Sequence, residues 1–224
     1  KNEVAYLEMI SKPGDGFENS SQIFIKMLND NRLVIIIDRP TAGLNEIQIP
    51  FYILLRYLGW SSDKKIVDWI VGNYNTSMSK YILNKLNLAF KAKYTNFTDS
   101  SRLYIKDDIL KALRNNMTNA FPYLVNNLDK NIIKYVNNKI IWAIDNYLLP
   151  HIGTAVTDRN KKAIFLSYLI KRLILVEMKA VPSTDRDSLN NKRAHSAGIS
   201  LAKAFKQQFN FVIVQMIKKN LRRA

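Results

Sequence analysis

Gln22–Leu28 alternates with Ile23, Ile25 and Met27 at every second position, and the chain then breaks at Asn29-Asp30-Asn31 and returns over Arg32–Ile37 as a β-branched run. After Pro50 that two-residue period gives way to three- and four-residue spacing. A period of two fits a pleated strand and a period near 3.6 fits a helix, so the order of the two patterns constrains the fold. Ile23, Ile25 and Met27 fall on one strand face, and Arg32–Ile37 is the returning strand of a β-hairpin that Val4–Ile10 can join. Gly43–Ile49 reads as a connector. Pro50 suits a first helical position, with Phe51, Leu54, Leu55 and Leu58 on one buried face. Further helical patterns follow from Ser62, over Met78–Lys93, Asp107–Asn119, Asp129–Leu149, Asn160–Lys179 and Ile199–Leu221. In the sixth, Phe165, Leu169, Arg172 by its stem and Val176 are expected to share the apolar side. In the last, Leu201, Phe205, Phe209, Val212 and Met216 mark a clear face. The expected fold is α+β, mostly α: a small N-terminal β-hairpin or sheet within 1–40, then six or seven helices over 50–224. No linker is long enough to force a second domain, so 1–224 is expected to be a single domain.

Composition narrows the function classes. The chain has no cysteine, which excludes disulfides and thiolate metal sites. Its two histidines, His151 and His195, are far apart in sequence, so a zinc site would need carboxylates. No apolar run reaches the roughly 18 residues of a membrane span, and no membrane partner is expected. No glycine-rich phosphate loop, serine elbow or dinucleotide fingerprint is present. The net charge of +16 is not needed for folding and speaks to association with nucleic acid, an acidic partner or an anionic surface. The heavy use of Lys, Asn and Ile offers a plainer cause, a biased genome. The absence of a first Met and the basic run at the end suggest a piece of a longer protein.

One polar stretch, Ser183–Gly198, lies between two apolar-periodic helices and gathers Asp185, Arg186, Asp187, Lys192, Arg193 and His195. A base pre-oriented by a carboxylate can present donors to a phosphate or a guanine edge. Adjacent Lys192 and Arg193 diverge by about 100° at a helix start and can serve different partners. Asp185 and Asp187 could also be taken for a metal pair. The plainer account is that one caps the next helix and the other is neutralised by Lys192 or Arg193. His151, after Pro150, reads as a surface or capping residue. Trp60, Trp69 and Trp142 read as core, with base stacking an alternative for Trp60.

At this stretch the sequence resembles the second-largest subunit of multisubunit DNA-dependent RNA polymerases. The resemblance rests on Asp185-Arg186-Asp187, Ser188-Leu189-Asn190, Asn191-Lys192-Arg193 and Ala197-Gly198. Leu148-Leu149-Pro150-His151, Lys161–Leu173 and Ile49–Gly59 are also similar to that family, in the family's order. The matching region is the family's lobe, a peripheral domain beside the DNA cleft. The resemblance implies a non-catalytic wall of the cleft that contacts downstream or non-template DNA and docks other subunits and transcription factors. Catalysis and its Mg2+ lie elsewhere in the parent nucleotidyltransferase, so no cofactor is expected in this segment. In bacterial relatives the acid and base matching Asp187 and Lys192 help hold an unpaired non-template guanine. Here Lys192 replaces the bacterial Arg and lacks its planar fork, so phosphate contact is expected in place of base readout. Asn190 stands where the family usually has Gly, and Asn tolerates the left-handed conformation.

The DNA-contact candidates are therefore Asp187, Lys192, Arg193, His195 and Arg186, with no catalytic or metal residue. The Lys/Asn/Ile bias suggests a large DNA virus, which implies a cytoplasmic viral factory or virion; a cellular eukaryotic source implies the nucleus. The competing readings are an independent basic nucleic-acid-binding helical domain and a metal-dependent nuclease using Asp185 and Asp187.

Overall fold

The structure, a computed structural model, describes residues 3–12, 20–38, 46–92, 110, 130–185, 187–191 and 196–221. The chain divides into two compact units, Lys1–Pro182 and Ser183–Ala224. The first opens with an antiparallel sheet in the order β1 (Glu3–Ser11), β2 (Ser21–Leu28), β3 (Leu33–Ile37), β4 (Ile47–Pro50). The β2–β3 turn falls at Asn29-Asp30-Asn31, where Asn31 takes φ 64° and the Leu28 amide donates to the Arg32 carbonyl at 2.9 Å. In register, Ile25 faces Ile35 and Ile35 faces Ile49. The strand period puts Ile23, Ile25 and Met27 on the buried face, as the alternation predicts.

The fourth strand corrects the connector expected over Gly43–Ile49. Ile47 and Ile49 alternate with exposed Gln48 and pair with Ile37 and Ile35, so this short stretch closes the sheet. Pro50 ends β4 and occupies the helix N-cap, one position before the N1 site expected for it. Six helices follow among the described residues. They are α1 (Phe51–Tyr57), α2 (Asp63–Val71), α3 (Ser77–Lys91), α4 (Lys130–Trp142), α5 (Arg159–Glu177) and α6 (Ala197–Phe209). The last continues through a π-turn, Asn210–Val214, into Gln215–Leu221. The helix expected over Asp107–Asn119 lies outside the described residues except for Leu110, which is helical and buried.

Every residue of α1 is buried, Arg56 included. Arg56 resolves its charge by lying 5.1 Å from the Tyr52 ring and reaching Asp63 at 2.5 Å, where the carboxylate is half-exposed. Phe51, Tyr52 and Phe90 form an aromatic cluster that holds α3 against α1. The buried side of α5 is Ala163, Leu166, Leu169, Ile170, Leu173 and Ile174. Phe165 and Arg172 lie on its partly exposed flank, which corrects the face expected for them. α5 is apolar around most of its circumference, so spacing alone does not identify the side that faces the sheet.

A buried polar node joins α4 to α5. α4 ends in a π-turn, Ala143–Tyr147, in which the Leu148 amide donates to the Ala143 carbonyl at 2.8 Å. Asp145 within that turn is buried and takes a bidentate pair from Arg159, at 2.7 and 2.6 Å. Arg159 also lies 4.9 Å from the Tyr57 ring. Lys162 is fully buried and donates to the Ile144 and Asp145 carbonyls at 3.2 and 2.5 Å. Burial lowers its pKa to about 8, against a weaker pull upward from Asp145 and Asp158.

α5 stops in a Schellman motif. Lys179 takes φ 59°, its amide donates to the Val176 carbonyl, and the Ala180 amide donates to the Leu175 carbonyl. A left-handed lysine carries a Cβ penalty that glycine avoids, partly offset by glycine's larger unfolded-state entropy. Lys179→Gly is therefore expected to stabilise the fold by about 0.5–1 kcal/mol, read as a raised denaturation midpoint.

Lys162 sets a second expectation. Its folded pKa lies below the unfolded value, so between about pH 8 and pH 10 the unfolded state binds more protons and stability rises with pH. Below that window the folded state carries a buried charge at a cost. The stability of the wild type relative to Lys162→Met should climb across this window, by up to about 1.4 kcal/mol per pH unit, in denaturant titrations at each pH.

Candidate nucleic-acid interface

Within the second unit, Asp185 organises the polar stretch. Its Oδ1 accepts from the Asp187 amide at 2.9 Å, an Asx-turn that a short carboxylate side chain makes with its own backbone two residues on. Its backbone carbonyl accepts from Asn191 Nδ2 at 2.5 Å, which closes the loop. Between these anchors Leu189–Asn191 forms a 3-10 turn, with the Asn191 amide donating to the Ser188 carbonyl at 3.0 Å. Ser196 then serves as the extended N-cap residue of α6, although its hydroxyl makes no capping bond. Asp185, Asp187 and Asn191 are thus brought together on an exposed turn, and Leu189 stands 86% exposed at its tip.

Ser196, and neither aspartate, is the N-cap residue of the next helix, and Asp185 gives its carboxylate to the Asp187 amide instead. Asn190 lies in the 3-10 turn and is not among the residues with positive φ, so the left-handed conformation considered for it is not used. Asn191, which the sequence marks only as part of the Asn191-Lys192-Arg193 motif, is a structural member of the turn. Its signal is present all the same: an amide six residues after an Asx-forming aspartate can reach back to that residue's carbonyl. Of the predicted contact residues, Asp187 is described and exposed. Arg186, Lys192, Arg193 and His195 lie outside the described residues.

Charge is one-sided beyond this point. From Ser188 to Ala224 every Asp, Glu, Lys or Arg position is Lys or Arg. Lys203 and Lys206 lie on α6, beside exposed Ile199, Leu201 and Phe205. Among the described residues no group of three or more His, Cys, Asp or Glu side chains could hold a metal ion. No helix among them is long and apolar enough to cross a membrane.

The other residues weighed for chemistry fall in the first unit. Trp60 is fully buried and donates Nε1–H to Asn160 Oδ1 at 2.7 Å, which leaves it no face for a base. Trp69 stacks on Trp60 at 5.5 Å with its outer part exposed, and Trp142 is also exposed, so two of the three tryptophans depart from the core expected for them. His151 is a tie between elements: its Nδ1 lies 2.6 Å from Ser11 Oγ on β1, and its ring meets Phe165 edge-on. Burial, aided by Lys162, holds its pKa below the usual value.

Residues 17–195 match the family described as RNA polymerase Rpb2, domain 2. The match runs from before β2 through the polar turn. The chain belongs to that family. It is 31% identical over 205 residues to the DNA-directed RNA polymerase subunit Rpo2 of Saccharolobus shibatae, covering 88% of the chain and 16% of that relative. It is 26% identical over 212 residues to the DNA-directed RNA polymerase II subunit RPB2 of Encephalitozoon cuniculi, covering 93% of the chain and 16% of that relative. The Arabidopsis thaliana DNA-directed RNA polymerase II subunit 2 is 29% identical over 172 residues, 76% of the chain and 13% of its own length. The chain thus spans about one sixth of the length of these three relatives, or less. All three are cellular and lend the viral source no support.

The Asx-turn lies within the residues matched to Rpb2 domain 2, and α6 begins just after them. If Asp185 holds this turn, Asp185→Ala should speed amide hydrogen exchange at Asp187 and Asn191. Because the turn is exposed, the global unfolding midpoint should change by less than about 1 kcal/mol equivalent.

Proposed function

We propose that this chain is the lobe of a DNA-directed RNA polymerase second-largest subunit: a non-catalytic wall of the DNA cleft that contacts downstream or non-template DNA and docks other subunits or transcription factors. In this proposal residues 1–224 work as one lobe-like piece of a longer subunit, in whatever compartment the parent enzyme transcribes. The parent is a nucleotidyltransferase whose Mg2+ is held by other parts of the enzyme. The family match over residues 17–195 is the observation that carries the proposal.

The local chemistry supports a phosphate-contacting turn. Asp185 fixes the backbone so that Asp187 stands exposed at the start of the turn, and Lys192, Arg193 and His195 follow within eight residues of it. Lys192 contributes a compact point charge suited to phosphate, and lacks the two-pronged donor set that reads a guanine edge. Binding of this kind is governed by counterion release and falls steeply with salt. Lys192→Ala with Arg193→Ala should weaken DNA binding and reduce the slope of log affinity against log salt by roughly one unit for each phosphate that is no longer neutralised. Titration of a labelled duplex at several salt concentrations measures this. An unchanged slope would remove the turn from the DNA-facing surface.

A further inference from the structure

α4 carries a second feature that the polar turn does not explain. Its inner face is buried through Val136, Ile140 and, in the π-turn, Ala143 and Ile144. Its outer face presents Lys134, Tyr135, Asn138, Lys139 and Trp142, spaced by three and four residues. Tyr135 is 59% exposed and Trp142 44% exposed, and Trp142 meets no other ring among the described residues. The Lys139 ammonium lies 5.1 Å from the Tyr135 ring. Residues Lys130–Trp142 include no acid, and the nearest one after them, Asp145, is buried against Arg159. The two exposed rings thus share one helix stripe with Lys134 and Lys139.

We propose that the outer face of α4 is a binding site for single-stranded nucleic acid, in which Tyr135 and Trp142 stack on bases while Lys134 and Lys139 meet phosphates. Seven residues separate the two rings, about two helical turns or roughly 10.5 Å along the axis, and they differ by only about 20° in direction. A strand lying along the helix therefore meets both. A duplex hides its base faces and can use only the lysines, so stacking selects the single strand. The partner is a polyanion because the stripe is all-cationic and the chain carries +16. The site goes beyond the polymerase proposal and does not depend on the Ser183–Gly198 turn.

The test uses the 224-residue chain with a labelled oligo-dT of about 16 nucleotides and a labelled duplex of about the same length at low salt. Tyr135→Ala and Trp142→Ala are each expected to weaken oligo-dT binding by roughly 5- to 150-fold while duplex affinity changes less than about twofold. Trp142→Phe, which keeps a ring, covers the case in which the alanine variant does not fold. It should hold oligo-dT within about threefold and abolish the part of the tryptophan quenching that the single strand causes in the wild type. Unchanged oligo-dT binding in the alanine variants, a parallel loss for duplex and single strand, or quenching that survives Trp142→Phe each overturns the site. Lys192→Ala with Arg193→Ala serves as the separate control. If that pair lowers duplex binding while the α4 variants change nothing, the α4 site fails and the polymerase proposal stands; if only the α4 variants act, the reverse holds.

Discussion

A helix with no solvent face has to be covered on every side, and α1 is such a helix. Its seven residues, Phe51 to Tyr57, are all buried, so the elements around it are fixed by the need to exclude water from it. The sheet delivers the chain straight into it through β4. α3 reaches it through Phe90, and α5 through Arg159 against Tyr57. The one permanent charge within it, Arg56, is tolerated because an aromatic face and the Asp63 carboxylate replace its water. With α1 in place, the node of Asp145, Arg159 and Lys162 sets where α4 meets α5. A lone buried lysine is expensive, but two backbone carbonyls within the π-turn supply acceptors that water would otherwise provide.

Some of this is legible in the sequence, and the rest is hidden for identifiable reasons. The β2–β3 hairpin is plain because alternation and the Asn29-Asp30-Asn31 turn point the same way. β4 is not, since Ile47-Gln48-Ile49 is too short to be told from a connector until its partners Ile37 and Ile35 are known. The buried side of α5 is easily misplaced because nearly every direction around that helix carries an apolar residue. The apolar face of α6 is visible as a pattern, yet all its large apolar residues are exposed here. Periodicity shows that a face is apolar, and it does not show what lies against it. The Asp145–Arg159 pair, fourteen residues apart, depends on the π-turn, which no local signal announces.

The candidate interface shows a similar division. The mixture of acids and bases between two helices is visible as composition, and so is its resemblance to the polymerase family. The part Asp185 plays is not, because an aspartate before a helix is ordinarily taken as its cap. In the structure it instead accepts from the amide two residues on, and this fixes the turn that displays Asp187. The exposed rings on α4 are hidden too: Trp142 sits at helical spacing, where an aromatic is ordinarily core. Its exposure follows from the neighbouring positions, Val136 and Ile140, which already point the opposite side of the helix inward.

Imaging tests the proposal that this Rpb2 domain 2 lines a DNA cleft with its polar turn toward the nucleic acid. The measurement is a cryo-electron microscopy reconstruction of the parent polymerase engaged on a DNA bubble, with this chain located in the density. The turn from Ser183 to Gly198 is expected to face the downstream or non-template strand, with Lys192 and Arg193 beside phosphates. A reconstruction in which that turn points away from the DNA, or is buried against another subunit, would contradict it.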